Sequence, residues 1–254
     1  MCSTRFRSRA FTRNYRKDEV MNKRWRETFS LWAQSEEFTQ KVAEARQIIK
    51  DALNDFQKPY CSFSGGKDSL VMTHLVWQMK PDIDVVTLDY SRNFLPLRYL
   101  LEIKDIAKKL GWNHRVIRSR ILEKDENDGI PRMMQVLNRE VTPFLLREGF
   151  DLAFVGIRKE ESSARKHRIE GHSNLTKIPE VHPVANFTWM DIWAYIISRD
   201  LPYMRFYDIY GKVVGWENVR FSTFFDKELE TLGGSNLDGY FSYRYRYKSP
   251  QKRN

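Results

Sequence analysis

Ser64-Gly65-Gly66-Lys67-Asp68-Ser69 is the stretch of this chain best equipped for chemistry. Adjacent glycines let a backbone turn sharply and bring its N–H groups close to an anion. The hydroxyls of Ser64 and Ser69 add hydrogen bonds, and Lys67 adds a full positive charge. A helix-like run follows and would aim its positive end at the same place. The combination suits the phosphates of a nucleotide. Asp68 offers one of two things: a carboxylate for Mg²⁺, which favours carboxylate, phosphate and water oxygens, or a cap for that helix. Farther along, Arg158 and Arg165 carry planar donors that match phosphate or sulfate, although Arg165 could equally pair with Glu160 or Glu161. Glu161 could orient an attacking group or pair with an arginine, and both readings stay open. For His182, which precedes Pro183, a structural role is favoured over substrate contact. His167 and His172 have no partners nearby in sequence, so a metal site there is not expected.

The spacing excludes two familiar phosphate loops. G-x-x-x-x-G-K-[ST] would need glycine where Cys61 stands and Ser or Thr where Asp68 stands, and no G-x-G-x-x-G occurs. Thiol chemistry is also unpromising. The only cysteines are Cys2 and Cys61, and Cys61 falls in an apolar run that predicts a buried, inert side chain. Two cysteines exclude a disulfide framework and, within this chain, a four-cysteine zinc or iron–sulfur site.

Alternating strands and helices position these groups. Phe38, Val42, Ala45, Ile49, Ala52 and Phe56 recur at helical spacing, predicting an amphipathic helix over 36–56. Strands are expected at 59–63, 83–89, 113–117 and 151–157. Helices are expected at 69–79, from Pro96 to Leu110 with Gly111 as cap, within 131–148, and from the Thr188–Asp191 capping box to Arg199. Trp189 and Trp193, at helical spacing, read as core. This order argues for an α/β fold with a mostly parallel sheet flanked by helices.

The chain has 254 residues, 41% hydrophobic and 14% aromatic, enough for a sizeable core. Its net charge of +10 sits at the ends. Residues 1–26 hold nine basic side chains against Asp18 and Glu19, and 240–254 hold five with no acid. Basic arms attract polyanions, and the Tyr243-Arg-Tyr-Arg-Tyr247 tail adds stacking rings; a solubilising role is the plainer alternative. We expect a basic arm at 1–35, a catalytic domain at 36–237 and a basic, aromatic tail at 238–254. No apolar run reaches the ~18 residues of a membrane span, and no apolar stretch follows the basic N-terminus, so a cytoplasmic protein without membrane contact is expected.

Ser-Gly-Gly-Lys-Asp-Ser resembles the PP-loop of the ATP pyrophosphatase superfamily, whose members cleave ATP between the α and β phosphates. Val85-Val-Thr-Leu-Asp89 is similar to that group's second strand, whose acidic end lies near the adenosine. Gly156-Ile-Arg-Lys-Glu-Glu-Ser-Ser-Ala-Arg165 resembles the Gly-x-Arg…Ser-x-x-Arg segment of the phosphoadenosine phosphosulfate (PAPS) reductase and ATP sulfurylase small-subunit branch. His182-Pro-Val-Ala-Asn186, Trp189-Met-Asp-Ile-Trp193 and Leu201-Pro-Tyr203 are similar to further segments of that branch.

The resemblance implies a Rossmann-like, adenine nucleotide alpha hydrolase-like fold. It implies ATP and Mg²⁺ as cofactors, with Asp68 the candidate metal ligand; the two cysteines are the reason no iron–sulfur cluster or zinc is expected. Lys67, Asp68, Arg158 and Arg165 become the catalytic candidates. Ser64, Gly65, Gly66, Lys67, Asp68, Ser69, Asp89 and Gly156 become the nucleotide contacts. The Glu-Cys-Gly-Leu-His motif that carries the reductases' nucleophile is absent after Cys61, which speaks against sulfonate reduction. Three readings follow: adenylylation in nucleic-acid or nucleotide modification, which the basic ends favour; sulfate activation with a GTPase-type protein partner; and a nucleotide-gated binding subunit.

Overall fold

The structure is a computed structural model that describes residues 21–89, 97–120, 136–171, 174 and 176–220. Both basic ends, 1–20 and 221–254, lie outside the described residues, as does Pro96. Two helices open the fold, α1 (Lys23–Trp32) and α2 (Glu36–Asp55). Then come β1 (Pro59–Ser62), α3 (Lys67–Met79), β2 (Asp84–Asp89), α4 (Leu97–Lys109) and β3 (Asn113–Arg118). After these follow α5 (Thr142–Arg147), β4 (Leu152–Val155), α6 (Ser163–Glu170), β5 (Glu180–Val181), α7 (Trp189–Ser198) and α8 (Phe206–Val214).

The five strands pair in the order β3-β2-β1-β4-β5, all parallel. The chain lays β2 and β3 to one side of β1 and then returns to place β4 and β5 on the other. A crevice opens where the order reverses, at the carboxyl ends of β1 and β4. The expected α/β fold is the observed one.

Each face of the sheet has its own apolar layer. On one side the predicted face of α2 (Phe38, Val42, Ala45, Ile49, Ala52) packs with α3 and with the buried run Ile192–Ile196 of α7. The other side is a smaller cluster of Tyr60, Val86, Ile117, Val136, Val141, Leu145, Phe150, Ala153 and Ile178. Residues 67–76 of α3 are all buried, so this helix is wrapped on every side and holds its first turn rigidly beside the sheet.

Several elements differ from the sequence reading. Residues 21–35, assigned there to the basic arm, join the fold. In α1, Phe29 is fully buried and stacks against Trp25 at 5.4 Å and Trp193 at 6.2 Å. Within the helix expected in 131–148, Leu137–Val141 forms a π turn, in which the Thr142 N–H reaches back to the Leu137 carbonyl. Pro143 follows and has no N–H with which to continue an ordinary ladder. The two-residue β5 is too short for any alternation to show in sequence.

The capping box is present: Thr188 and Asp191 exchange hydrogen bonds. Asp191 also accepts from Trp32 Nε1 at 2.7 Å and Lys41 Nζ at 2.9 Å, tying α1, α2 and α7 together.

Two histidines give the fold an acid-sensitive side. His74 Nδ1 lies 2.9 Å from the Tyr195 hydroxyl, and His114 Nε2 lies 2.8 Å from Thr87 Oγ1. Burial pushes each imidazole down to about 4. The unfolded chain takes up these protons below its ordinary value near 6.5, while the fold refuses them until about 4. Their contribution is therefore complete above that ordinary value and drains away as the pH falls between the two. A His74→Gln, His114→Gln double variant should lose less melting temperature than the parent between pH 7 and pH 4. Parallel profiles would contradict this account.

Candidate functional site

The β1–α3 connection holds its shape through its own side chains. Ser69 Oγ donates to the Gly66 carbonyl at 2.9 Å and accepts from the Ser64 N–H at 3.3 Å. Ser64 Oγ accepts from the Gly66 N–H at 3.3 Å and lies 3.1 Å from Ser69 Oγ. Gly65 has φ +84°, and a Cβ there would stand 2.5 Å from Ile103 Cγ1. The site requires glycine for both conformation and space.

A second close approach comes from the end of β4. A Cβ on Gly156 would sit 2.6 Å from Ser69 Cα and 2.7 Å from the Asp68 carbonyl oxygen. The bare Gly156 backbone thus lies directly on the first turn of α3, so β4 and the loop form one wall.

The charged candidates divide into two groups. Lys67 is buried; its Nζ lies 3.3 Å from Asp68 Oδ2, 3.2 Å from the Val219 carbonyl and 5.7 Å above the Tyr207 ring. Its backbone N–H donates to the Tyr207 hydroxyl at 2.9 Å. Burial lowers the pKa of this ammonium, against the pull of Asp68. Arg158 Nε donates to Asp68 Oδ1 at 2.5 Å, and its Nη1 meets Glu160. Its backbone N–H donates to Glu161 Oε2 at 3.0 Å, while Glu161 also holds Arg165. Burial alone would raise the Asp68 carboxyl, but Arg158, Lys67 and Arg165 outweigh it and hold the group far below the usual carboxylate range. Burial works against the charge on Arg158 too, and the three carboxylates more than compensate.

These contacts bear on magnesium. Both oxygens of Asp68 already face cations, so the donor set around it does not fit a Mg²⁺ ligand. Among the described residues no group of three or more His, Cys, Asp or Glu is placed to hold a metal ion.

A cleft of about 180 Å³ opens beside the loop, at the reversal of strand order. Ser62, Ser64, Ser69, Gly156 and Arg165 line its loop end, and Val86, Leu88, Ile117, Leu137 and Val141 form an apolar wall. Hydroxyls, an arginine and a flat apolar surface at two ends of one crevice are what a phosphorylated aromatic ligand requires. Ser64, Ser69, Gly156 and Arg165 thus come together, whereas the Lys67, Asp68 and Arg158 side chains form a buried network behind the loop. Asp89 ends β2 one residue past Leu88, opposite Arg118 in register.

Sequence reasoning missed Tyr207, Thr176, Glu180 and Arg168. Arg168 could have been found, since it stands three residues after Arg165 and so on the same helical face. Cys61 is fully buried, with its thiol pushed up by burial. His182 Nδ1 lies 3.3 Å from the Val155 carbonyl, and Trp193 is core.

A parallel α/β sheet with a serine-pinned glycine loop at its switch point places the loop where folds of this class receive their ligands. The comparisons give the family. The phosphoadenosine phosphosulfate reductase domain family matches residues 58–237, and this chain belongs to it. Sulfate adenylyltransferase subunit 2 of Mesorhizobium japonicum is 29% identical over 202 residues, covering 65% of each chain. An uncharacterised protein of Methanocaldococcus jannaschii is 30% identical over 199 residues, which are 72% of this chain and 41% of that protein. The chain therefore spans less than two thirds of these relatives. The structure of PAPS reductase from Candida auris, a phosphate complex, aligns with TM-score 0.50 and 16% identity over 69% of this chain and 92% of that one. That likeness is one of fold.

Proposed function

We propose that this chain binds ATP in the β1–β4 cleft, cleaves it between the α and β phosphates, and transfers the adenylyl group to an acceptor in nucleic-acid or nucleotide modification. The observation that carries the reading is the cleft itself, with hydroxyls and Arg165 at the glycine loop and an apolar wall beyond them. The acceptor's lone pair attacks the α phosphorus, the bond from that phosphorus to the bridging oxygen breaks, and pyrophosphate leaves with the electron pair. Positive charge and helix N–H groups near the departing oxygens favour that step. Gly66 and Lys67 present N–H groups now held by hydroxyls, partners that a phosphate oxygen can replace. The basic ends support a polyanionic acceptor.

A second reading, sulfate as the acceptor with a protein partner, is favoured by the relative named sulfate adenylyltransferase subunit 2. One assay separates the two. ATP labelled at the α phosphorus is incubated with the full chain and Mg²⁺ in the presence of tRNA, duplex DNA or sulfate. Label should appear as AMP or on the acceptor, with pyrophosphate released, and be stimulated by nucleic acid. Stimulation by sulfate alone would select the second reading, and label appearing in ADP would sink both. Arg165→Ala should lower kcat/KM about 10- to 100-fold, the loss of one charge-assisted contact worth roughly 1.5–3 kcal/mol.

A further inference from the structure

The ammonium nearest the glycine loop is held away from the cleft. Lys67 Nζ is tied to the Val219 carbonyl at 3.2 Å and to Asp68 at 3.3 Å. Its backbone N–H is taken as well, by the Tyr207 hydroxyl at 2.9 Å. Tyr207 belongs to α8, and Val219 to the strap of residues 215–220 that follows it.

The strap is anchored at both ends. Trp193 Nε1 donates to the Trp216 carbonyl at 3.1 Å, and the Trp216 ring, 2% exposed, stands edge-on to Trp193 at 5.0 Å. The N–H groups of Asn218 and Val219 both turn back to the Gly215 carbonyl. At the far end Arg220 Nη2 donates to the Glu161 carbonyl at 2.7 Å. The Glu161 carboxylate in turn holds Arg165, which lines the cleft. One short segment therefore touches both the loop and the turn that faces it.

The two anchors differ in kind. Trp216 is buried, out of reach of any outside competitor. Arg220 is only half-buried, and the acceptor at its Nη2 is a neutral carbonyl. A phosphate oxygen bonds a guanidinium roughly twice as strongly as a neutral acceptor does, so an arriving phosphodiester can displace that carbonyl. The sequence beyond Arg220 adds five basic side chains and no acid over 240–254, which draws a polyanion to this end of the chain.

We propose that residues 215–220 are a brake on the loop, and that a phosphate of the nucleic-acid acceptor releases it by taking Arg220 from the Glu161 carbonyl. The phosphate favours the lifted strap because only there does Arg220 turn to it. The Val219 carbonyl then leaves Lys67, and the ammonium is freed for the departing pyrophosphate. With the brake on, water is kept from consuming ATP as AMP and pyrophosphate before the acceptor arrives. This rests on the ATP reading of the cleft.

The test follows pyrophosphate released from ATP by the full chain with Mg²⁺, alone and with tRNA or duplex DNA in turn. The parent should be slow alone and faster with nucleic acid. Arg220→Ala should raise the rate without nucleic acid about 3- to 10-fold, the worth of one hydrogen bond lost from the braked state, and should gain little more when nucleic acid is added. A merely structural role predicts the opposite sign, because the same bond steadies the turn that carries Arg165. Trp193→Phe keeps a ring but removes the donor to Trp216. It should also raise the rate without nucleic acid, and it serves if Arg220→Ala does not fold. Hydrogen exchange reads the strap without turnover: in the parent, the amides of 218 and 219 should exchange faster once the stimulating nucleic acid is added. A basal rate in Arg220→Ala at or below the parent's would overturn the inference and leave the ATP reading standing. So would a parent that neither nucleic acid stimulates, a variant stimulated as strongly as the parent, or unchanged exchange at 218 and 219. No pyrophosphate under any condition would overturn the ATP reading and this inference with it.

Discussion

Asp68→Ala should destabilise the protein by about 3–5 kcal/mol at pH 7, the usual loss when one partner of a buried ion pair is removed. Two cations depend on this carboxylate: Arg158, whose side chain is 4% exposed, and Lys67, at 2%. Neither has water to fall back on. For a chain of this size the loss corresponds to a melting temperature lower by roughly 6–20 °C, at ~2–4 °C per kcal/mol. The folded carboxyl titrates below its ordinary value of 3.8, so its contribution is complete above that value and declines as the pH falls below it. A measurement at neutral pH captures all of it. Asp68→Asn, which keeps an oxygen for Arg158 Nε, should fall between the parent and the alanine variant. Melting within about 1 °C of the parent for Asp68→Ala would show that the network has little to do with stability.

Gly156→Ala should have the other large effect, on stability and turnover together. The added carbon would meet Ser69 Cα at 2.6 Å and Ser69 N at 2.7 Å. These are backbone atoms and cannot rotate aside. The end of β4 has to separate from the first turn of α3, at a cost of about 1–3 kcal/mol. That movement shifts the serines that shape the loop, and a misplacement near 1 Å is worth on the order of 10²-fold in rate. Gly111→Ala is the control. Its φ is +68°, but an added carbon there meets nothing within 4 Å. It should cost about 1 kcal/mol and leave turnover unchanged. If Gly156→Ala turns over like the parent, the contact between β4 and the loop has no part in the chemistry.

These two predictions also mark what the sequence disclosed and what it concealed. The spacing of Phe38, Val42, Ala45, Ile49 and Ala52 was enough to read the buried face of α2. The Thr188–Asp191 box was enough for the start of α7. Such features are local, settled by neighbours three or four residues away. The glycine loop was legible for the same reason, as two glycines between a strand and a helix. Where Lys67 points was not, because Tyr207 and Val219 lie 140 and 152 residues farther along the chain. Arg158 invited a ligand-binding reading, yet its Nε goes to Asp68, 90 residues away. In α1, Trp25, Phe29 and Trp32 were hidden among charged neighbours whose basicity suggested an arm.

The lysine's contact with Val219 has an evolutionary side. The acceptor is a main-chain carbonyl, which every amino acid supplies. Substitution at 219 can therefore change side-chain packing without removing the partner that holds the Lys67 charge. The requirement falls on the route the chain takes past the loop, set by the turn at Gly215, φ +87°, and by the Trp193 Nε1 bond to the Trp216 carbonyl at 3.1 Å. Among relatives, this segment should vary in residue identity at 219 while insertions and deletions between 215 and 219 stay rare.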